Sequence, residues 1–137
     1  MYDPKLVQPM RDELTKIGCQ ELRSPEEVDK VLGGTTDTCL VVVNSVCGCA
    51  AGGARPAVGM AIKHPKRPKV LATVFAGQDR EATERARSYF VGFPPSSPSF
   101  ALLKGGKIVH LVPRQEIEGR TAEQIAATLT AVFEKHC

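Results

Sequence analysis

No stretch of this sequence is apolar for the roughly 20 consecutive residues that a membrane-spanning helix needs, so no membrane partner is expected. Strong charge of one sign is also missing: 18 Lys and Arg stand against 15 Asp and Glu, a net charge of +3. That balance slightly favours small anions but is far from the dense basic surface of a nucleic-acid binder, so no nucleic-acid partner is expected. Internal repeats, low-complexity tracts and interdomain linkers are lacking, and 137 residues suit one domain, residues 1–137, able to stand without staples. The opening Met1-Tyr2-Asp3-Pro4-Lys5 leads into no signal-like apolar stretch, and a cytoplasmic location is the expectation. Five cysteines are an odd number, and a reducing compartment argues against a disulfide framework. Closely spaced cysteines in such a protein point to catalysis or metal binding.

What is present alternates between helix and strand. Leu6, Met10, Leu14 and Ile17 recur at helical spacing, with Gly18 as a stop and Pro9 as a start or a kink. A short strand is expected near Cys19–Leu22. Ser24-Pro25-Glu26-Glu27 then reads as a capping box ahead of Val28, Val31 and Leu32. Cys39-Leu40-Val41-Val42-Val43 is a continuous, β-branched apolar run, suited to a strand buried on both faces. Ala50 to Lys63 can be helical, though Gly52, Gly53 and Pro56 predict a kink. Lys69–Phe75 follows as a strand and about Asp79–Phe90 as a charged helix. Beyond the proline-rich 93–98 segment, Ser99–Leu103 and Ile108–Val112 flank Gly105-Gly106, a type I′ hairpin signal. Thr121-Ala122-Glu123-Gln124 caps a closing helix whose buried face is Ile125, Leu129, Val132 and Phe133. The order predicts an α/β, three-layer sandwich: a mixed central sheet with helices on both faces, as in the thioredoxin fold.

Chemistry concentrates at Cys47-Gly48-Cys49, between the buried strand and the kinked helix. Residues two apart on a helix point to nearly opposite sides, so these thiols can meet only if Cys47 lies just outside the helix. Gly48 then supplies the turn. The closed loop would be one residue shorter than in a Cys-x-x-Cys site, which makes the pair easier to reduce or better able to isomerise other disulfides. A helix N-terminus favours thiolate over thiol, and no Asp or Glu occurs between Asp37 and Asp79, whereas Arg55, Lys63, Lys66, Arg67 and Lys69 do. Cys47, nearer the strand end, is the expected nucleophile and Cys49 the resolving thiol.

Two rivals stand beside that reading. Both cysteines could simply pack a helix start, as free cysteines often do, although a glycine between them is costly for packing alone. Alternatively the protein is a metal-binding module using Cys47 and Cys49. Zinc usually takes four ligands, however, and His64 is the one further donor close in sequence. No second Cys-x-Cys or Cys-x-x-Cys exists, and neither a metal nor a resident cofactor is expected.

The segments 44–52 (Asn44-Ser45-Val46-Cys47-Gly48-Cys49-Ala50-Ala51-Gly52) and Ala54-Arg55-Pro56-Ala57 resemble the bacilliredoxin family, thioredoxin-fold proteins with a Cys-Gly-Cys site. The later segments Pro94–Leu102 and His110-Leu111-Val112-Pro113-Arg114 resemble the same family. The resemblance implies removal of low-molecular-weight thiols, bacillithiol in particular as co-substrate, from S-thiolated client proteins, with some disulfide-isomerase character. It matches Cys47 to the attacking cysteine and Cys49 to the resolving one. It also places a cis-proline at Pro98, where an extended substrate chain would pair with Ser97.

Other candidates carry less. Cys19 and Cys39 are expected to be buried and inert, and Cys137 exposed. His64, His110 and His136 read as surface or edge residues, and Arg55 as a helix-surface residue with a secondary chance of holding an anionic thiol.

Overall fold

The structure is a computed structural model and describes residues 1–137. Its elements run α1 (Pro4–Thr15), β1 (Gln20–Glu21), α2 (Pro25–Leu32), β2 (Thr38–Asn44), a π-helical turn (Ala50–Ala54), α3 (Arg55–Ala61), β3 (Val70–Phe75), α4 (Arg80–Arg87), β4 (Ser99–Lys104), β5 (Lys107–Val112), a 3₁₀ turn (Arg114–Glu116) and α5 (Ala122–His136). The five strands form one sheet in the order β1-β3-β2-β4-β5. β3 pairs in parallel with β1 and β2, whereas β4 is antiparallel to β2 and β5 to β4. This is the mixed sheet that the alternation of elements predicts.

Every residue of β2 is buried, as its unbroken apolar run requires. Successive side chains of a strand point to opposite faces. Leu40 and Val42 therefore join Leu14, Val58, Ile125 and Phe133 in the core beneath α1, α3 and α5. Cys39, Val41 and Val43 join Val28, Leu32, Ala82 and Ala86 beneath α2 and α4. Gly105 and Gly106 take φ of +59° and +79°, the paired left-handed conformation of a type I′ turn, and join β4 to β5. The Thr121–Gln124 capping box is complete at the start of α5, and Ser24 accepts from the Glu27 N–H at the start of α2.

α1 departs from the sequence expectation. Leu14 is buried as expected, but Leu6 is 53% exposed, and the helix buries Val7 and Arg11 instead. Arg11 occupies a core-facing position because Asp79, at the start of α4, accepts two of its hydrogen bonds at 2.7 and 3.0 Å. Pro9 lies within the helix rather than at its start, which Asp3 caps. No helix is long and apolar enough to cross a membrane.

Candidate functional site

The candidate site forms where β2 ends and the chain turns into its next helix. Ser45 fixes the turn: its N–H donates to Asn44 Oδ1 at 2.8 Å, and its hydroxyl oxygen accepts from the Cys47 N–H at 3.3 Å. The Cys47 carbonyl accepts from the N–H groups of Ala50 and Ala51, at 3.1 and 3.2 Å. Gly48 and Cys49 are already helical, and the chain continues through the π-helical turn into α3. Cys47 thus sits just outside the helix and Cys49 one step within it. Pro56 has no N–H to give to the carbonyl one turn before it, and the π-helical turn lies directly N-terminal to it, so the expected kink takes this form.

Both thiols are free and partly exposed. They differ in charge preference. Burial pushes the Cys47 thiol up, but the Ser45 hydroxyl, the backbone N–H groups of Ala50 and Cys49 and the charge of Arg114 together outweigh it, holding Cys47 below an ordinary thiol. Burial pushes Cys49 up, and the negative charge on Cys47 and Glu118 adds to this against the opposing pull of Arg114. A thiolate at Cys47 beside a thiol at Cys49 is the state these contacts stabilise.

The opposite wall comes from the segment before β4 and the turn after β5. Val43 pairs with Ser99, which places Pro98 beside the end of β2. The Ser97–Pro98 peptide is cis and Pro98 is buried. Arg114 ties these parts together. Its backbone N–H donates to Ser96 Oγ at 2.7 Å, Nη1 to the Ser97 carbonyl at 3.1 Å, Nη2 to Cys49 Sγ at 3.8 Å and Nε to Glu118 at 2.9 Å. The Ser97 carbonyl therefore has a partner within the protein. The Ser97 N–H has none.

Arg55 corrects the surface role expected for it. It is only 4% exposed. Nη1 donates to Asn44 Oδ1 at 3.0 Å and to the Ser45 carbonyl at 2.7 Å, while Nε donates to Glu13 at 2.6 Å. The residue braces the turn from within. His64 pairs with Glu134 of α5 at 3.5 Å, and no group of three or more His, Cys, Asp or Glu side chains gathers as a metal site requires. Cys19 and Cys39 are buried, with burial pushing each thiol up to about 12. Cys137 is exposed.

The family described as Disulphide isomerase matches residues 2–137. The chain is 53% identical over 137 residues to a bacilliredoxin of Koribacter versatilis (strain Ellin345), covering 100% of this chain and 94% of that protein. It is 54% identical over 137 residues to a bacilliredoxin of Geobacillus kaustophilus (strain HTA426), covering 99% and 94%. The chain belongs to the bacilliredoxin family.

Among solved structures, a thioredoxin of Malassezia sympodialis has a TM-score of 0.60 at 20% identity, over 87% of this chain and 90% of that one. Fasciola hepatica thioredoxin gives 0.60 at 19% identity, over 86% and 99%. At such identities the likeness establishes the fold alone. This bacilliredoxin is a thiol–disulfide oxidoreductase with a thioredoxin fold. Sequence reasoning placed Arg114 within a family motif but gave it no task. Its spacing of four from Glu118, just past a strand-ending proline, was the available signal. Ser45, two residues before Cys47, was legible as a turn-forming hydroxyl.

Proposed function

We propose that this bacilliredoxin removes a low-molecular-weight thiol of the bacillithiol type from mixed disulfides on client proteins, with disulfide isomerisation as a second activity. The observation that carries this reading is the asymmetry of two thiols two residues apart: Cys47 is held towards thiolate, and Cys49 is held as a thiol against it. The Cys47 thiolate attacks the small thiol's sulfur, and the client cysteine leaves as a thiolate. The small thiol is then disulfide-bonded to Cys47. Cys49 loses its proton to solvent and attacks the Cys47 sulfur, releasing the small thiol and forming a Cys47–Cys49 disulfide. Two electrons have passed from the dithiol to the mixed disulfide, and an external thiol or reductase restores the pair. Attack on a mispaired client disulfide, followed by re-attack from a client thiol, gives isomerisation. The open Ser97 N–H beside Pro98 supports pairing with an extended client segment.

The test offers the reduced protein one client, S-thiolated in turn with bacillithiol, glutathione or cysteine, and weighs the products. Fastest release from the bacillithiol adduct is expected. Equal rates for all three would remove the carrier preference, and no release from any would overturn the activity.

A further inference from the structure

A two-step exchange needs its second sulfur to become a nucleophile only after the first has been capped. At rest burial keeps Cys49 protonated, and the negative charge on Cys47 adds to it. Once Cys47 is bonded to a small thiol, that charge is gone. The charged and titratable groups that face Cys49 are Cys47 on its own turn, and Arg114 and Glu118 from the segment after β5. Among them Arg114 is the cation, and its Nη2 already points at Cys49 Sγ from 3.8 Å.

The guanidinium is held there by groups that are not themselves reacting. Nε is on Glu118 and Nη1 on the Ser97 carbonyl, while the backbone N–H is on Ser96 Oγ. Its planar fork therefore leaves Nη2 fixed on Cys49 Sγ, close enough for its charge to act on Cys47 as well. We propose that Arg114 is a catalytic residue for the second step: it shares its charge with Cys47 at rest and transfers that stabilisation to Cys49 once Cys47 is capped. This rests on the division of labour between the two cysteines proposed above. Glu118 acts through Arg114 as a positioning residue and moderates its charge.

The test uses the full chain with Cys137→Ser, which leaves Cys47 and Cys49 as the accessible thiols because Cys19 and Cys39 are buried. The protein is mixed with an equimolar amount of dithiobisnitrobenzoate, an aromatic disulfide whose thiolate is coloured. Cys47 attacks first and releases one coloured thiolate, with the other half left on its sulfur. Cys49 then attacks Cys47, forms the Cys47–Cys49 disulfide, gives its proton to solvent and releases the second. Both rates are followed by stopped flow across the pH range in which thiols ionise.

Arg114→Gln is expected to slow the second release by about tenfold at neutral pH, the scale of losing one charge-assisted hydrogen bond, and to move its midpoint upward. Arg114→Lys recovers part of the loss. Glu118→Gln, which frees the guanidinium charge but can still accept from Nε, moves the midpoint downward. A purely structural role for Arg114 would give slower release with an unmoved midpoint, and that result overturns the proposal. An unchanged second release in Arg114→Gln overturns it equally. If the parent protein releases only one coloured thiolate, Cys49 does not resolve, and the division of labour falls together with this role for Arg114.

Discussion

Arg55 Nη1 donates a 2.7 Å hydrogen bond to the Ser45 carbonyl, and the Ser45 hydroxyl oxygen accepts from the Cys47 N–H at 3.3 Å. One buried guanidinium thus braces the turn that presents the candidate nucleophile, with Glu13 at the helix surface closing the other end of the brace at 2.6 Å. Replacing Arg55 by Met keeps much of the stem's packing but leaves the buried Ser45 carbonyl without this partner. The expected cost is about 3 kcal/mol, combining an unsatisfied buried acceptor with a broken, partly buried ion pair. Arg55→Lys should lose less. Urea unfolding of the reduced protein measures both, and a loss under about 1 kcal/mol for Arg55→Met would show that the turn holds without the brace.

The two thiols should titrate in opposite directions from an ordinary cysteine. In a Cys137→Ser background, alkylation of Cys49→Ala, which then reports Cys47, is expected to have its midpoint below the ordinary thiol range. Alkylation of Cys47→Ala in that background, which reports Cys49, should have a higher midpoint because burial still acts on it. The same asymmetry enters folding. Because the folded Cys47 value lies below the unfolded one, the unfolded chain binds more protons between the two. Cys47 therefore contributes stability above the ordinary thiol value, and that contribution is lost as pH falls through its folded value. Cys47→Ala should lack that part of the pH dependence in urea titrations, and an unchanged profile would contradict the shift.

Cys19 and Cys39 should make the protein sensitive to alkali. Burial pushes each up to about 12 from an ordinary value of 9.0. Folded values above the unfolded ones give stability that is complete below the unfolded value and lost as pH rises towards the folded one. The reduced protein should therefore weaken from about pH 9 upward, as its unfolded chain sheds two protons that the folded chain retains. In Cys19→Ala and Cys39→Ala the slope of stability against pH should fall by about one proton each, whatever the cost at neutral pH. Identical slopes in parent and variants would contradict the burial of these thiols.

Features set by short spans of chain were legible in the sequence. The run from Cys39 to Val43 could be assigned to a strand covered on both sides, because it is short, apolar throughout and rich in β-branched valine. Gly105-Gly106 announced its turn because two successive positive φ values favour glycine. Cys47-Gly48-Cys49 was visible as a pair of thiols at a strand-to-helix junction. Partners far apart in sequence were not legible. Arg11 looks like a surface residue until Asp79, 68 positions away, accepts from it, and the burial of that pair turns α1 about its axis and leaves Leu6 outside. Arg55 escaped for the same reason through Glu13, and so did Arg114 through Ser97 and Cys49. An arginine's place depends on the acceptors that meet it, and those lie on other elements.

The central claim is that Cys47 begins the exchange and Cys49 completes it, and weighing both partners of a trapped reaction tests it most directly. Cys47→Ala and Cys49→Ala are each incubated with an S-thiolated test protein, and every species is identified by intact-mass spectrometry. Cys49→Ala should strip the small thiol from its client and stop, carrying that thiol on Cys47. Cys47→Ala should leave the client fully modified. Dethiolation by Cys47→Ala at the rate of the unmodified protein would contradict the account.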